Sequence, residues 1–256
     1  MGLSRIIFVT GTDTGVGKTL LTASLLLHLR QNGLRALAMK PCCCGGRADV
    51  DLIQAIQGSD PPASEVNPFY FAEPLAPLVA ARRKRSPLEV EDVLRAVKRM
   101  RARCDCLIVE GAGGLLTPLG EGFAWADILE GLPGCDVVIV ARNKLGTINH
   151  TLLTVEALQR RGAKRIGIVL MDQRTQDFSA GFNAATLQAL TAPAEVFAVP
   201  FLGNNASDPG GLKKTVQKLK KTLARLADPD SFSARSPVGS WKGTGPDRLE
   251  NEKKDR

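Results

Sequence analysis

The sequence predicts an α/β protein, a doubly wound and mostly parallel sheet with helices on both faces. Three observations predict it. Short apolar runs alternate with helix-length segments along most of the chain. The runs are near-continuous Val, Ile and Leu without polar alternation, as parallel strands buried on both faces require. The first run ends in a glycine-rich turn that opens directly into a helix-length segment.

In chain order, "RIIFVTG" (5–11) reads as the first strand and residues 19–31 as the first helix. "RALAMKP" (35–41) is a second strand, followed by a helix over 87–101. "CLIVEGAGG" (106–114) and "DVVIVARN" (136–143) are strands, then residues 148–161 a helix. "RIGIVLMD" (165–172), a helix over 178–190 and "AEVFAVP" (194–200) complete the sheet. "DPGGLKKTVQKLKKTLARLAD" (208–228) reads as one last amphipathic helix. Right-handed crossovers between such strands place functional residues just after each strand's carboxyl end.

Residues 1–227 are expected to form one domain. Residues 228–256 are rich in Pro, Gly and Ser, then densely charged, with six acidic and six basic residues. Such a segment has little apolar surface to bury and is expected to be disordered. The +8 net charge therefore belongs to the domain, where basic runs such as 212–221 recur at helical spacing and read as a solvated face. Aromatic content of 5% leaves no stacking platform for nucleic acid.

Six cysteines, three of them consecutive at Cys42, Cys43 and Cys44, form no CxxC pair, and the only histidines are His28 and His150. Neither a disulfide framework nor a zinc site is expected. No apolar run is long enough to span a bilayer. The expectation is a soluble cytoplasmic protein with no nucleic-acid or membrane partner.

The stretch "VTGTDTGVGKT" (9–19) carries the chemistry. Strand, glycine-rich turn, Gly17-Lys18-Thr19 and helix supply the context of a P-loop, so the sheet is of P-loop NTPase type. Backbone N–H groups around the turn and the helix dipole suit a phosphate. Gly15, Val16 and Gly17 line the turn, Lys18 supplies charge at the β/γ bridge, and the Thr19 hydroxyl suits Mg²⁺. Five residues rather than four separate Gly11 from Gly17. Partition and cell-division ATPases of similar layout carry a lysine at position 13. Asp13 has the opposite charge and disfavours that class of switch.

The string resembles the P-loop of the dethiobiotin synthetase family. The likeness continues in order through "MKP" (39–41), "VNPFYFAEPLAP" (66–77), "IVEGAGGLLTPL" (108–119) and "KLGTINHTLLTVEAL" (144–158). It spans most of residues 5–202. The resemblance implies an ATP-dependent enzyme that joins 7,8-diaminopelargonate and CO₂ into a cyclic urea. A carbamate attacks the γ-phosphate, and the second amine closes the ring.

Carried over residue by residue, the resemblance implies catalytic roles for Lys40, Lys18 and Thr14, with Thr14 near the carbamate. Two lysines suit an anionic nucleophile meeting an anionic phosphate. It implies Mg²⁺ ligands at Thr19, Glu110 and an acid after the Lys40 loop. Asp49 matches best by register, with Asp51 as the alternative. Nucleotide contacts are expected from the P-loop, Glu110, Gly113, Met171, Asp172, Pro200, Phe201 and Leu202. Substrate contacts are expected from Asp13, Thr14, Lys40, Cys44 and Gly114. Thr147, Ile148 and Asn149 are expected to hold the substrate's tail carboxylate across a homodimer interface. Two positions depart from the family: Cys44 where serine is frequent, and Met171-Asp172 where Asn-Asp commonly reads adenine.

Two other readings are a P-loop ligase acting on another amine or acid, such as the cobyrinate amidotransferase synthetase domains, and a non-catalytic P-loop ATPase. The first normally continues into a glutaminase domain, and the second is disfavoured by Asp13.

Overall fold

The computed structural model describes residues 4–228, so the expectation for the remaining tail lies outside the described residues. The elements are β1 (Arg5–Gly11), α1 (Lys18–Gln31), β2 (Ala36–Met39), β3 (Cys42–Cys44), α2 (Ala48–Gln57), α3 (Ala63–Val66) and β4 (Phe69–Phe71). Then follow α4 (Pro77–Lys84), α5 (Val90–Arg101), β5 (Cys106–Gly114), β6 (Pro118–Gly120), β7 (Phe123–Ala124) and α6 (Trp125–Glu130). The last are β8 (Asp136–Asn143), α7 (Thr147–Arg160), β9 (Ile166–Asp172), α8 (Ala180–Thr191), β10 (Glu195–Val199), α9 (Pro209–Lys218) and α10 (Lys220–Ala227).

Six strands form one parallel sheet in the order β10-β9-β8-β1-β5-β2. Its strands divide their side chains between two cores. In β1, Ile6 and Phe8 enter one core while Ile7 and Val9 enter the other. In β5, Leu107 and Val109 alternate likewise with Cys106 and Ile108. This two-sided burial is why the strand sequences show no polar alternation.

One face is covered by α1, α2, α9 and α10 through Leu21, Leu25, Ile53, Val216 and Leu223. Helix α1 lies under the sheet with α2, α9 and α10 against it, which accounts for its Leu25-Leu26-Leu27 run. The other face is covered mainly by α5, α6 and α7, through Val93, Val97, Trp125 and Leu158. There Phe8 and Trp125 meet with ring centroids 5.6 Å apart. The Trp125 indole N–H also donates to the Ala112 carbonyl at 3.0 Å, which pins the carboxyl end of β5.

Several boundaries differ from the sequence expectation. The helix expected over 87–101 begins at Val90. The expected last helix is two, α9 and α10, separated at Leu219. The strands β3 and β4, paired in parallel as a two-stranded sheet, and helices α2, α3, α4 and α6 were not expected. Among the described residues no helix is long and apolar enough to cross a membrane.

Candidate active site

The register of the sheet sets the site. Val9 pairs with Glu110, so the Glu110 carboxylate stands beside the point where β1 becomes the glycine-rich turn. The strand runs four residues beyond Glu110, to Gly114, as its sequence predicts. The Thr12 N–H donates to the Val140 carbonyl at 3.0 Å and anchors the start of the turn on β8.

Within the turn, the Lys18 ammonium donates to the Asp13 carbonyl at 2.9 Å. The Asp13 carboxylate accepts the Thr14 N–H at 2.6 Å. Gly17 has a φ of 104°, and a Cβ there would sit 3.2 Å from the Met171 side chain. Glycine is needed both for its backbone and for this close approach. Val16 is buried beneath the turn.

Burial pulls the Lys18 pKa down to about 8. The neighbouring Glu110 opposes that shift and Lys40 adds to it.

Lys40 follows β2 and is held at its backbone from both sides. Its N–H donates to the Val66 carbonyl at 2.9 Å, and its carbonyl accepts the Asn67 side-chain amide at 2.8 Å. The side chain is buried and donates to Glu110 Oε1 at 2.9 Å and to the Asp49 carboxylate. Burial opposes the charge on Lys40, but Glu110 and Asp49 outweigh it and raise the pKa.

Thr19 Oγ1 donates to the same Glu110 oxygen at 2.7 Å. Glu110 is fully buried, and its second oxygen, Oε2, has no hydrogen-bond partner among the described residues. A buried carboxylate oxygen without a donor is costly unless a cation satisfies it. The oxygen-only set of Thr19, Asp49 and Glu110 suits a hard divalent ion such as Mg²⁺. Asp51 is exposed and does not line the cleft, whereas Asp49 does.

These groups line one cleft of about 880 Å³. Thr14, Gly15, Gly17, Lys18, Thr19, Lys40, Cys44, Asp49, Glu110 and Gly113 all face it. Cys44 is half-buried on β3, a strand rather than the expected loop. A smaller cavity of about 440 Å³ lies on the other side of Thr14 and Thr117. Asp13 and Gly114 line it, with Leu116, His150 and Leu153. Gly114 donates its N–H to Thr117 Oγ1 at 2.9 Å, and this contact shapes the wall between the two cavities.

Other expected positions stand apart. Thr147, Ile148 and Asn149 begin α7 but line neither cavity. The helix cap is Gly146, with a φ of 92°, and the Thr147 side chain is buried. Asp172 accepts the Asn143 amide at 2.8 Å, and Asn183 donates to Asn143 Oδ1 at 2.9 Å. Pro200 and Phe201 are exposed after β10, and Leu202 opens a separate hollow of about 670 Å³.

Residues not anticipated include Asn67, which fixes Lys40, and Arg142, which contacts the turn. Pro74–Pro77, from the family-like "VNPFYFAEPLAP" segment, also wall the cleft. That segment was legible as a motif, and its role was not.

A family model described as "AAA domain" matches residues 5–204. The chain is 43% identical over 192 residues to the ATP-dependent dethiobiotin synthetase BioD of Anaeromyxobacter dehalogenans (strain 2CP-C), covering 73% of this chain and 86% of that protein. It is 41% identical to the protein of that name from Bacillus licheniformis, covering 64% of this chain and 71% of that protein. The namesake from Methanocaldococcus jannaschii is 39% identical, over 64% and 78%.

Among solved structures, the MinC:MinD cell division protein complex of Aquifex aeolicus aligns with a TM-score of 0.55 at 14% identity, covering 86% of this chain and 96% of that one. A ParA family ATPase from Chlorobium tepidum TLS aligns at 0.52 and 16%, over 85% and 92%. At such identities the likeness is one of fold. With the P-loop, the second lysine and the sequence identity in agreement, the chain belongs to the ATP-dependent dethiobiotin synthetase family.

Proposed function

We propose that this protein is an ATP-dependent dethiobiotin synthetase, which joins 7,8-diaminopelargonate and CO₂ with ATP and Mg²⁺ in the synthesis of biotin. The observation that carries the proposal is Lys40, a buried second lysine sharing Glu110 with the P-loop threonine. A nucleotide-hydrolysing P-loop protein has one anion to hold. A carbamate that attacks a phosphate brings two, and each needs a cation.

In this reading the N–H groups of residues 15–19 and the Lys18 ammonium hold the triphosphate. Thr19, Asp49 and Glu110 hold Mg²⁺, which when bound neutralises phosphate charge and orients the γ-phosphate. Lys40 exchanges its carboxylate partners for the carbamate and γ-phosphate oxygens and stabilises charge as it moves between them. Thr14 positions the carbamate. Cys44 and Pro74–Pro77 bound the diamine, and Gly113 and Gly114 let it approach the backbone. Met171, Asp172 and residues 200–202 flank the base.

We place the working site at a homodimer interface. Leu145 and Leu153 expose large apolar side chains on and beside α7, Leu116 does so near Gly114, and the Phe178 and Phe182 rings lie tilted against each other in the open, with centroids 5.3 Å apart. A partner there would bury these and bring its residues 147–149 to the smaller cavity. The backbone N–H groups of a helix N-terminus would suit the substrate carboxylate.

The test is to incubate pure protein with diaminopelargonate, bicarbonate, Mg²⁺ and ATP and to look for dethiobiotin by mass spectrometry. Product is expected. No product, with the diamine shown not to bind, rejects the proposal.

A further inference from the structure

Arg142 lies on β8 next to the phosphate turn, and the expected chemistry gives it no part. Its half-buried guanidinium donates from Nη2 to the Thr14 and Gly15 carbonyls, each at 3.2 Å, and from Nε to Gly15 at 3.4 Å. The fork thus grips two consecutive peptide units from the outer side of the turn.

A trans peptide points its C=O and N–H in opposite directions. Fixing the Thr14 carbonyl outward therefore turns the Gly15 N–H inward, and fixing the Gly15 carbonyl does the same for the Val16 N–H. Neither N–H has a hydrogen-bond partner among the described residues. The unit before them is oriented the other way. The Asp13 carbonyl faces Lys18, and the Thr14 N–H is taken by the Asp13 carboxylate. The turn reverses its peptide direction at the residue where Arg142 begins to hold it.

Gly15 fits the same account. Its φ is 69°, and a Cβ would lie 2.9 Å from Arg142 Nη2. A side chain there would both strain the backbone and push the guanidinium off the carbonyls.

We infer that Arg142 is a positioning residue for the phosphate cradle, orienting the Gly15 and Val16 N–H groups toward the anion before nucleotide arrives. The inference rests on reading the cleft as a nucleotide site. A planar fork with several donors can hold two carbonyls at once, whereas a lysine ammonium is a single point. Preorganised donors need no rearrangement when the anion binds, so the gain appears as affinity for phosphate.

The experiment compares the full chain with Arg142→Ala and Arg142→Lys. Calorimetry measures binding of Mg-ATP and of inorganic tripolyphosphate, and ¹⁵N relaxation measures backbone order at Gly15 and Val16 without nucleotide. Arg142→Ala is expected to weaken both ligands roughly tenfold, the scale of a charge-assisted hydrogen bond. Backbone order at the two amides should fall, with little change in melting temperature. Arg142→Lys should recover less than half of the loss on a logarithmic scale.

Unchanged affinity in Arg142→Ala overturns the inference. Full recovery in Arg142→Lys also overturns it, since charge alone would then suffice. A native chain that binds ATP without making dethiobiotin would reject the proposed reaction and leave Arg142's role standing. A native chain that binds no ATP rejects both.

Discussion

The Lys40 ammonium donates to Glu110 Oε1 at 2.9 Å, and both groups are buried, Glu110 on β5 and Lys40 just after the neighbouring β2. The contact joins two functions. It pairs one oxygen of a buried carboxylate in the free protein, and it holds Lys40 at the place where charge must move during the reaction.

Lys40→Ala should therefore have two separable effects. Turnover should fall by far more than tenfold, with about 1.4 kcal/mol of barrier for each tenfold. Stability should fall by about 3 kcal/mol, because Glu110 is left as an uncompensated buried charge. In a Glu110→Gln background the same change should cost much less stability. Chemical denaturation of the four proteins in the cycle measures this coupling, and additive losses would contradict it.

The Lys18 pKa of about 8 predicts proton-linked binding. Below that value free Lys18 is charged, and above it the ammonium loses its proton. Bound phosphate favours the charged form and raises the pKa, so ATP binding near pH 8.5 should take up a proton. Affinity should fall as pH rises beyond 8. Calorimetry in EDTA, with buffers of different ionisation enthalpy, counts that proton without Mg²⁺ interfering. Equal uptake by Lys18→Met would assign the proton elsewhere.

The chain ends of the described domain are tied by Arg5. Its Nε meets Asp136 at 2.5 Å, while its other nitrogens donate to the Ala227 and Leu226 carbonyls at the end of α10. Asp136 is fully buried and keeps Arg165 at 2.6 Å. Arg5→Ala should cost about 1–3 kcal/mol, less than loss of an only partner, because Arg165 remains. Thermal denaturation with unchanged ATP affinity is the expected pattern.

If the working site spans a dimer, Leu153→Asp should yield monomers with little turnover. Leu153 is exposed in one subunit, so the monomer's own melting temperature should barely move. Light scattering with a turnover assay decides the matter. A folded monomer with full turnover would rule out the shared site.

The sheet was legible because its strands bury both faces: Ile6 to Val9 could be read as a strand without knowing which side chain enters which core. The P-loop was legible because backbone and cation chemistry fix its spacing, whereas Glu110 was reached through the family resemblance. The three residues of β3 and of β4 were not, since so short a run carries no period and three thiols give no strand signal. Asn67 acts through a single amide on the Lys40 carbonyl, a contact created by the fold. Arg142 carried no signal of its own, because its role depends on the carbonyls of a turn 127 residues away in sequence.

Base selectivity should be weak. An asparagine at position 171 would offer both a donor and an acceptor to a base edge, and discrimination depends on leaving a wrong base unpaired. Met171 offers a thioether, and here its side chain is buried under Gly17 rather than spread into a cavity. The adjoining Asp172 already accepts the Asn143 amide. The turn's N–H groups, Lys18 and Mg²⁺ bind phosphate alike for every base. Preference for ATP over GTP or CTP should therefore be roughly tenfold or less, about one hydrogen bond's net worth. Backbone groups of residues 200–202 are the remaining source of selectivity. Met171→Asn should raise the preference while costing stability, since it sets an amide beneath Gly17 where a thioether now packs. Comparing kcat/KM for the three nucleotides in both proteins tests this. A native preference for ATP near a thousandfold would mean that the base is read by groups other than residue 171.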